Sequence, residues 1–153
     1  MRILLFLHSS HSPSRLFRPT AMHLHDRFAE FLSASEIIEA TPALLNDQRR
    51  RFVSSPDIVL QPNSVENVQK IMRFCFENRI RVTPQGGNTG LCGATVTTEG
   101  VLLNLSKLNR IRDINLADNS MTVEAGVILQ NAQKAAAEAG RLFPLSLASE
   151  GSC

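Results

Sequence analysis

Residues 57–94 read DIVLQPNSVENVQKIMRFCFENRIRVTPQGGNTGLCGA, and this stretch decides the fold. Asp57–Pro62 is a short β-branched run halted by Pro62, which reads as a strand. Asn63-Ser64-Val65-Glu66 resembles a capping box, with an acid in the first helical turn. The helix it opens is expected to run to Glu77, with Val65, Val68, Ile71, Met72, Cys75 and Phe76 on one apolar face. Cys75 on that stripe reads as a small core residue. Asn78 ends the helix, and Arg79–Thr83 returns as a second strand. A strand–helix–strand unit of this length suits a right-handed parallel crossover.

The second strand runs straight into a loop with glycines at 86, 87, 90 and 93. Successive backbone N–H groups without β-carbons can converge on an anion, so the loop is a candidate phosphate cradle. It is not a Walker A loop, because no lysine lies in 84–94. Nor is it the dinucleotide fingerprint, because the glycine spacing is wrong and a β-branched, apolar stretch follows where a helix should open. Without lysine, binding would rest on amide dipoles, Asn88 and the Thr89 hydroxyl, which suits a diphosphate lying along the backbone. The plain alternative is a tight connection with no ligand.

Three further strand-like runs follow: VLLNL (101–105), RIRDI (110–114) and MTVEAG (121–126), read together as an antiparallel meander. Residues 127–139 form a helix with Leu129, Ala132, Ala136 and Ala139 on one face and Gly140 as its C-cap. Upstream, residues 24–40 carry an amphipathic helical pattern, and Thr41-Pro42 restarts a short polar continuation over 43–50. The class is α+β with a mixed sheet: a strand–helix–strand unit, then mostly antiparallel strands with a packed helix. The expected organisation is an extension over 1–22, N-terminal helices over 23–52 and one ligand-binding domain over 53–153.

With 153 residues, 43% hydrophobic and 20% charged, the chain can bury a core and is not of disordered composition. A net charge of +2 is too mild to argue for nucleic acid or an anionic membrane. The Arg49-Arg50-Arg51 triplet reads as a solvated patch. Cys75, Cys92 and Cys153 show no CxxC spacing, which argues against a disulfide framework or a zinc site and suits a reducing compartment. The first 25 residues have no acid, and their apolar run Ile3–Leu7 is too short for a membrane span. They read as a disordered extension, with an organellar transit segment as the alternative. The expected location is therefore cytoplasmic, or organellar under the second reading. His8, His11, His23 and His25 lack the acidic or thiol companions of a metal site.

Residues 57–94 together resemble the FAD-binding domain of the vanillyl-alcohol oxidase and p-cresol methylhydroxylase superfamily. The branch they look most like is the FAD-linked dehydrogenases of D-2-hydroxy acids. VLLNLSKLNRIRDI, MTVEAGVILQNAQKAAAEAG and LFPLSLASEGSC resemble that branch too, so the likeness covers about residues 53–153. It implies that Pro84, Gln85, Gly86, Gly87, Asn88, Thr89, Gly90, Leu91 and Gly93 bind cofactor, with the amides of Gln85–Gly90 around the FAD pyrophosphate. It implies that Ser149, Gly151 and Ser152 begin a second flavin-contacting loop. Asn88 stands where some relatives carry a flavin-tethering histidine, so FAD is expected to be held non-covalently. Cys92 reads as a small packing residue. Ala94 stands where relatives often place another glycine.

The resemblance also implies a domain incomplete at its C-terminus. The substrate domain would follow, so no catalytic residue or metal ligand is named. The expected activity belongs to a longer enzyme oxidising D-lactate, glycolate or D-2-hydroxyglutarate. The alternatives are a flavin-binding subunit completed by a separate chain, and an inactive truncated product. No nucleic acid or membrane span is expected.

Overall fold

The computed structural model describes residues 21–153. Residues 1–20, with the Ile3–Leu7 run, His8, His11 and nearly all of the expected extension over 1–22, lie outside the described residues. Helix α1 (Ala21–Ala29) is followed by a 3₁₀ turn at Ala34–Glu36, β1 (Ile37–Ile38) and α2 (Pro42–Leu45). Then come β2 (Ile58–Leu60), α3 (Val65–Glu77), β3 (Val82–Gln85) and β4 (Val101–Asn104). The hairpin β5 (Ile111–Asn115) and β6 (Ser120–Val123) and helix α4 (Leu129–Glu138) complete the chain.

The decisive stretch forms the expected strand–helix–strand unit. Ser64 caps α3 by accepting a hydrogen bond from the Asn67 N–H, and Asn78 stands at the C-cap. β2 and β3 both lie parallel to β4, in a four-stranded sheet of order β1-β2-β4-β3. Ile58, Leu60, Val101 and Leu103 point to one face and join Leu24, Phe28, Leu32, Ile71 and Cys75 in the core. Val59 and Leu102 point the other way and are buried as well, as expected of central parallel strands. Phe28 packs edge-on against Phe74 at 4.9 Å between centroids, tying α1 to α3.

Several expectations need correction. β4 does not belong to a meander; it inserts between β2 and β3, and only β5–β6 is antiparallel there. The α+β class with a mixed sheet stands. The helix expected over 24–40 stops at Ala29, because Ile37 and Ile38 pair antiparallel with Leu60 and Val59. Two β-branched residues next to an unpaired strand edge complete the sheet better than they extend a helix. The polar continuation over 43–50 is helical only to Leu45; beyond it Asn46 and Val53 form an isolated bridge around a turn. β3 starts at Val82, later than expected, and carries Pro84 and Gln85 within it. Pro84 is tolerated because β3 is an edge strand. Met72 and Phe76 are exposed, while Phe74 turns toward the core.

A buried carboxylate anchors the N-terminal segment. Glu36 Oε1 accepts the Asn63 N–H at 3.1 Å and Asn67 Nδ2 at 2.7 Å, while Oε2 accepts the Ser33 N–H at 3.1 Å and hydroxyl at 2.7 Å. Burial alone would raise its pKa, but the hydrogen bonds from Asn67, Ser33 and Asn63 outweigh it and hold the carboxyl at about 2. Glu124 plays the matching part under the hairpin. Arg110, with help from Arg112, pulls its pKa to about 2.

Candidate functional site

Parallel strands place the sheet's polar end residues side by side. Gln61 follows β2, Asn104 ends β4 and Gln85 ends β3, and their amides form a belt. Gln61 Nε2 donates to Asn104 Oδ1 at 3.0 Å, and Asn104 Nδ2 donates to Gln85 Oε1 at 3.2 Å. Gln85 Nε2 donates onward to the Leu44 carbonyl at 2.9 Å. Gln85 and Asn104 are both buried, so this belt fixes the C-terminal ends of the three strands. Ligands of open α/β sheets bind beyond strand ends of this kind.

The glycine loop leaves the sheet at that edge. Among the described residues, the backbone N–H groups of Gly86, Gly87, Asn88, Thr89 and Gly90 donate to no protein acceptor. Asn88 holds a φ of 55°, in the left-handed region, and Gly93 one of 76°. The Asn88 side chain locks this turn: Nδ2 donates to the Ala43 and Asn46 carbonyls at 3.1 and 2.7 Å, and Oδ1 accepts the Thr95 hydroxyl at 3.0 Å. Both amide donors are therefore engaged within the protein, and Asn88 offers a ligand its backbone N–H. Thr89 is half-buried and Gly90 exposed. Leu91 is exposed, and its carbonyl accepts Arg51 Nη2 at 2.6 Å. Pro84 is exposed on β3, and Gly93 sits against the Phe52 ring.

The second expected loop comes to the first. Residues 149–153 form a turn in which the Ser152 and Cys153 N–H groups both donate to the Ser149 carbonyl at 2.8 Å. This turn also caps α4, whose Ile128 has no capping side chain. The Leu129 N–H donates to the Cys153 carbonyl at 2.7 Å and the Gln130 N–H to the Glu150 carbonyl at 2.9 Å. Gly151 stands against Gln130, and a Cβ on Gly87 would fall on the Ser152 carbonyl oxygen. The fold thus brings the 149–153 turn into backbone contact with the glycine loop at Gly87.

A third segment went unassigned by sequence. Residues 42–50 face Gly87 and Asn88 across a pocket of about 420 Å³, within the range of small-molecule sites. Asp47 is buried there. Its Oδ1 accepts the Arg51 and Phe52 N–H groups, while Oδ2 has no hydrogen-bond partner among the described residues. The Phe52 N–H leads in lowering the Asp47 pKa, against the effect of burial. Only the basic triplet beside Asp47 hinted at this wall. The exposed thiol of Cys92 and the buried one of Cys75 form no disulfide. No helix among the described residues is long and apolar enough to cross a membrane.

Comparison with known proteins places the chain in a family. A family model described as "FAD binding domain" matches residues 56–153, well over half of the chain. The chain belongs to this FAD-binding domain family, of the vanillyl-alcohol oxidase and p-cresol methylhydroxylase type. Among curated relatives, D-2-hydroxyglutarate dehydrogenase of Xanthomonas citri pv. viticola is 40% identical over 108 residues, 70% of this chain and 23% of that protein. The D-2-hydroxyglutarate–pyruvate transhydrogenase DLD3 of Saccharomyces cerevisiae is 32% identical over 132 residues, 82% of this chain and 27% of that protein. The mitochondrial D-2-hydroxyglutarate dehydrogenase of Danio rerio is 36% identical over 70% of this chain and 20% of its own. The chain thus spans about a quarter or less of these relatives. Among solved structures, alkyldihydroxyacetonephosphate synthase superposes with a TM-score of 0.65 at 15% identity, over 76% of this chain and 26% of that one. 6-Hydroxy-D-nicotine oxidase from Arthrobacter nicotinovorans gives 0.58 at 24% identity, over 67% and 23%. Both share the fold.

Proposed function

We propose that this chain forms the N-terminal part of an FAD-dependent oxidoreductase acting on a D-2-hydroxy acid of the D-lactate, glycolate or D-2-hydroxyglutarate type. The observation that carries the reading is the run of uncommitted amides from Gly86 to Gly90, closed against the Ser149–Ser152 turn. Five consecutive backbone N–H groups with no protein acceptor among the described residues are available to an anion, and Gly87 lets the loop pack directly on the Ser152 carbonyl, where a side chain would clash. Gly86–Gly90 would hold the diphosphate, with Ser149, Gly151 and Ser152 lining the cofactor's far side. Gln85 supports the loop from within the sheet through its buried side chain.

Bound FAD would supply the acceptor for a hydride from the substrate α-carbon. The chain's own residues bind and orient; none is assigned a catalytic role. Asn88 carries no nucleophile and its amide is tied to Ala43 and Asn46, which supports non-covalent attachment. The names of the curated relatives support the 2-hydroxy-acid class. For location the cytoplasm is the first reading. The acid-free N-terminus and the mitochondrial relative from Danio rerio support an organellar alternative.

The test is titration of the purified full chain with FAD. Binding that raises the melting temperature, with all flavin released on acid precipitation, is the expected result. The absence of any FAD-dependent shift overturns the cradle, and flavin retained on the precipitated chain overturns non-covalent attachment. Reduction of the bound flavin by one of the three hydroxy acids in the complete enzyme then tests the substrate class.

A further inference from the structure

The glycine loop has no lysine, yet a diphosphate carries charge that backbone dipoles alone only partly balance. The fold brings a cation to it from elsewhere. Between Asn46 and Val53 the chain makes a tight turn, with the Asp47 N–H donating to the Phe52 carbonyl at 3.1 Å and the Arg50 N–H to the Asp47 carbonyl at 2.8 Å. Within it Arg50 adopts a φ of 54°, a left-handed backbone that a side chain of its size rarely takes. Such strain tends to persist where a side chain must be aimed.

The three arginines of the turn have separate fates. Arg51 is engaged: its Nη2 donates to the Leu91 carbonyl at 2.6 Å and its Nε lies 3.9 Å from Asp47 Oδ2, so it straps the turn to the glycine loop. Arg49 does not line the pocket. Arg50 lines it opposite Gly87 and Asn88, and its guanidinium pairs with no carboxylate among the described residues. Asp47 shares that wall, but two backbone N–H groups and the neighbouring Arg51 compensate its charge.

We propose that Arg50 is a phosphate-pairing residue of this site, reaching across the pocket to the anion seated on the Gly86–Gly90 amides. Asp47 and Arg51 are positioning residues that hold the turn against the loop. The proposal rests on reading that loop as a diphosphate cradle. It gives the site a cation from outside the glycine motif, on a segment that precedes the residues matched by the family model.

The experiment measures FAD and ADP affinity of the full chain by calorimetry at low and raised salt. Arg50→Gln weakens both ligands about 10- to 100-fold and flattens the salt dependence, as loss of a charge-assisted hydrogen bond requires. Arg49→Gln, with the same charge change outside the pocket, leaves affinity within about twofold. Arg50→Gly separates the roles: relief of the left-handed backbone keeps or raises the melting temperature while affinity falls as in Arg50→Gln. Wild-type affinity and salt dependence in Arg50→Gln and Arg50→Gly overturn the proposal while leaving the cradle intact. Equal loss in Arg49→Gln also overturns it, since the effect is then diffuse charge. If the unmodified chain binds neither FAD nor ADP, the cradle itself fails and Arg50 has no ligand to pair.

Discussion

Gly87 lies so close to the Ser152 carbonyl that a methyl group at 87 would occupy the oxygen's place. The loop after β3 and the turn that caps α4 therefore meet backbone to backbone.

This contact makes Gly87→Ala a sharp test. Backbone must shift to admit the Cβ, at a cost of about 1–3 kcal/mol. Gly90→Ala is the control, because nothing lies within 4 Å of a Cβ there. Thermal melts are expected to show a clear drop for the first and little change for the second. Equal effects would mean the two loops do not meet.

Asn88 is expected to matter for the loop's shape. Asn88→Ala removes three hydrogen bonds and leaves a φ of 55° that alanine resists. The expected loss is about 2–4 kcal/mol in denaturant unfolding. Asn88→Gly accepts the backbone and should lose less, so a larger loss for glycine would contradict the role of φ.

Glu36 gives a pH signature. Its carboxyl is lowered from 4.5 to about 2 in the fold, so its contribution is complete above pH 4.5 and fades as pH falls toward 2. Glu36→Gln turns an amide N–H₂ toward donors it cannot accept from and is expected to cost about 1–3 kcal/mol at neutral pH. The variant's acid unfolding should take up close to one proton fewer near pH 3. An unchanged proton count would remove Glu36 from this role.

The cysteines should differ in reactivity. Burial pushes the Cys75 thiol up to about 11, while Cys92 is exposed. Iodoacetamide at pH 8 is expected to label Cys92 within minutes and Cys75 only in denaturant. Mass spectrometry of labelled peptides reads the outcome, and rapid labelling of Cys75 in the native chain would contradict its place in the core.

Local chemistry made much of the framework legible. Ser64 with its following apolar stripe announced α3, and the Gly140 position announced the end of α4, because capping acts over a few residues. Ile37 and Ile38 were not legible as a strand. They are two residues whose state is decided by the edge of β2, distant in the chain. β4 was misread for the same reason: VLLN has the composition of any buried strand, and only its neighbours reveal parallel pairing. The glycine motif and the SEGS stretch stood out in the sequence, and the fold brings them together at Gly87 and Ser152. The Gln61–Asn104–Gln85 belt could not be seen, because it exists only once three strands are aligned in register. Arg50 was hidden likewise, since a basic triplet looks the same on a free surface as beside a pocket.

The capping of α4 by the 149–153 turn has a consequence for the order of events in folding. Carbonyls from that turn reach the amides of Leu129 and Gln130, and Ser152 meets Gly87. The cap contacts span about as much chain as the pairing of β1 with β2, whereas the Gly87–Ser152 meeting spans far more and is expected to form after the local helices and the β5–β6 hairpin. The meeting of the two loops is thus expected to come late in folding, and hydrogen exchange at the Ser152 and Cys153 amides would time it.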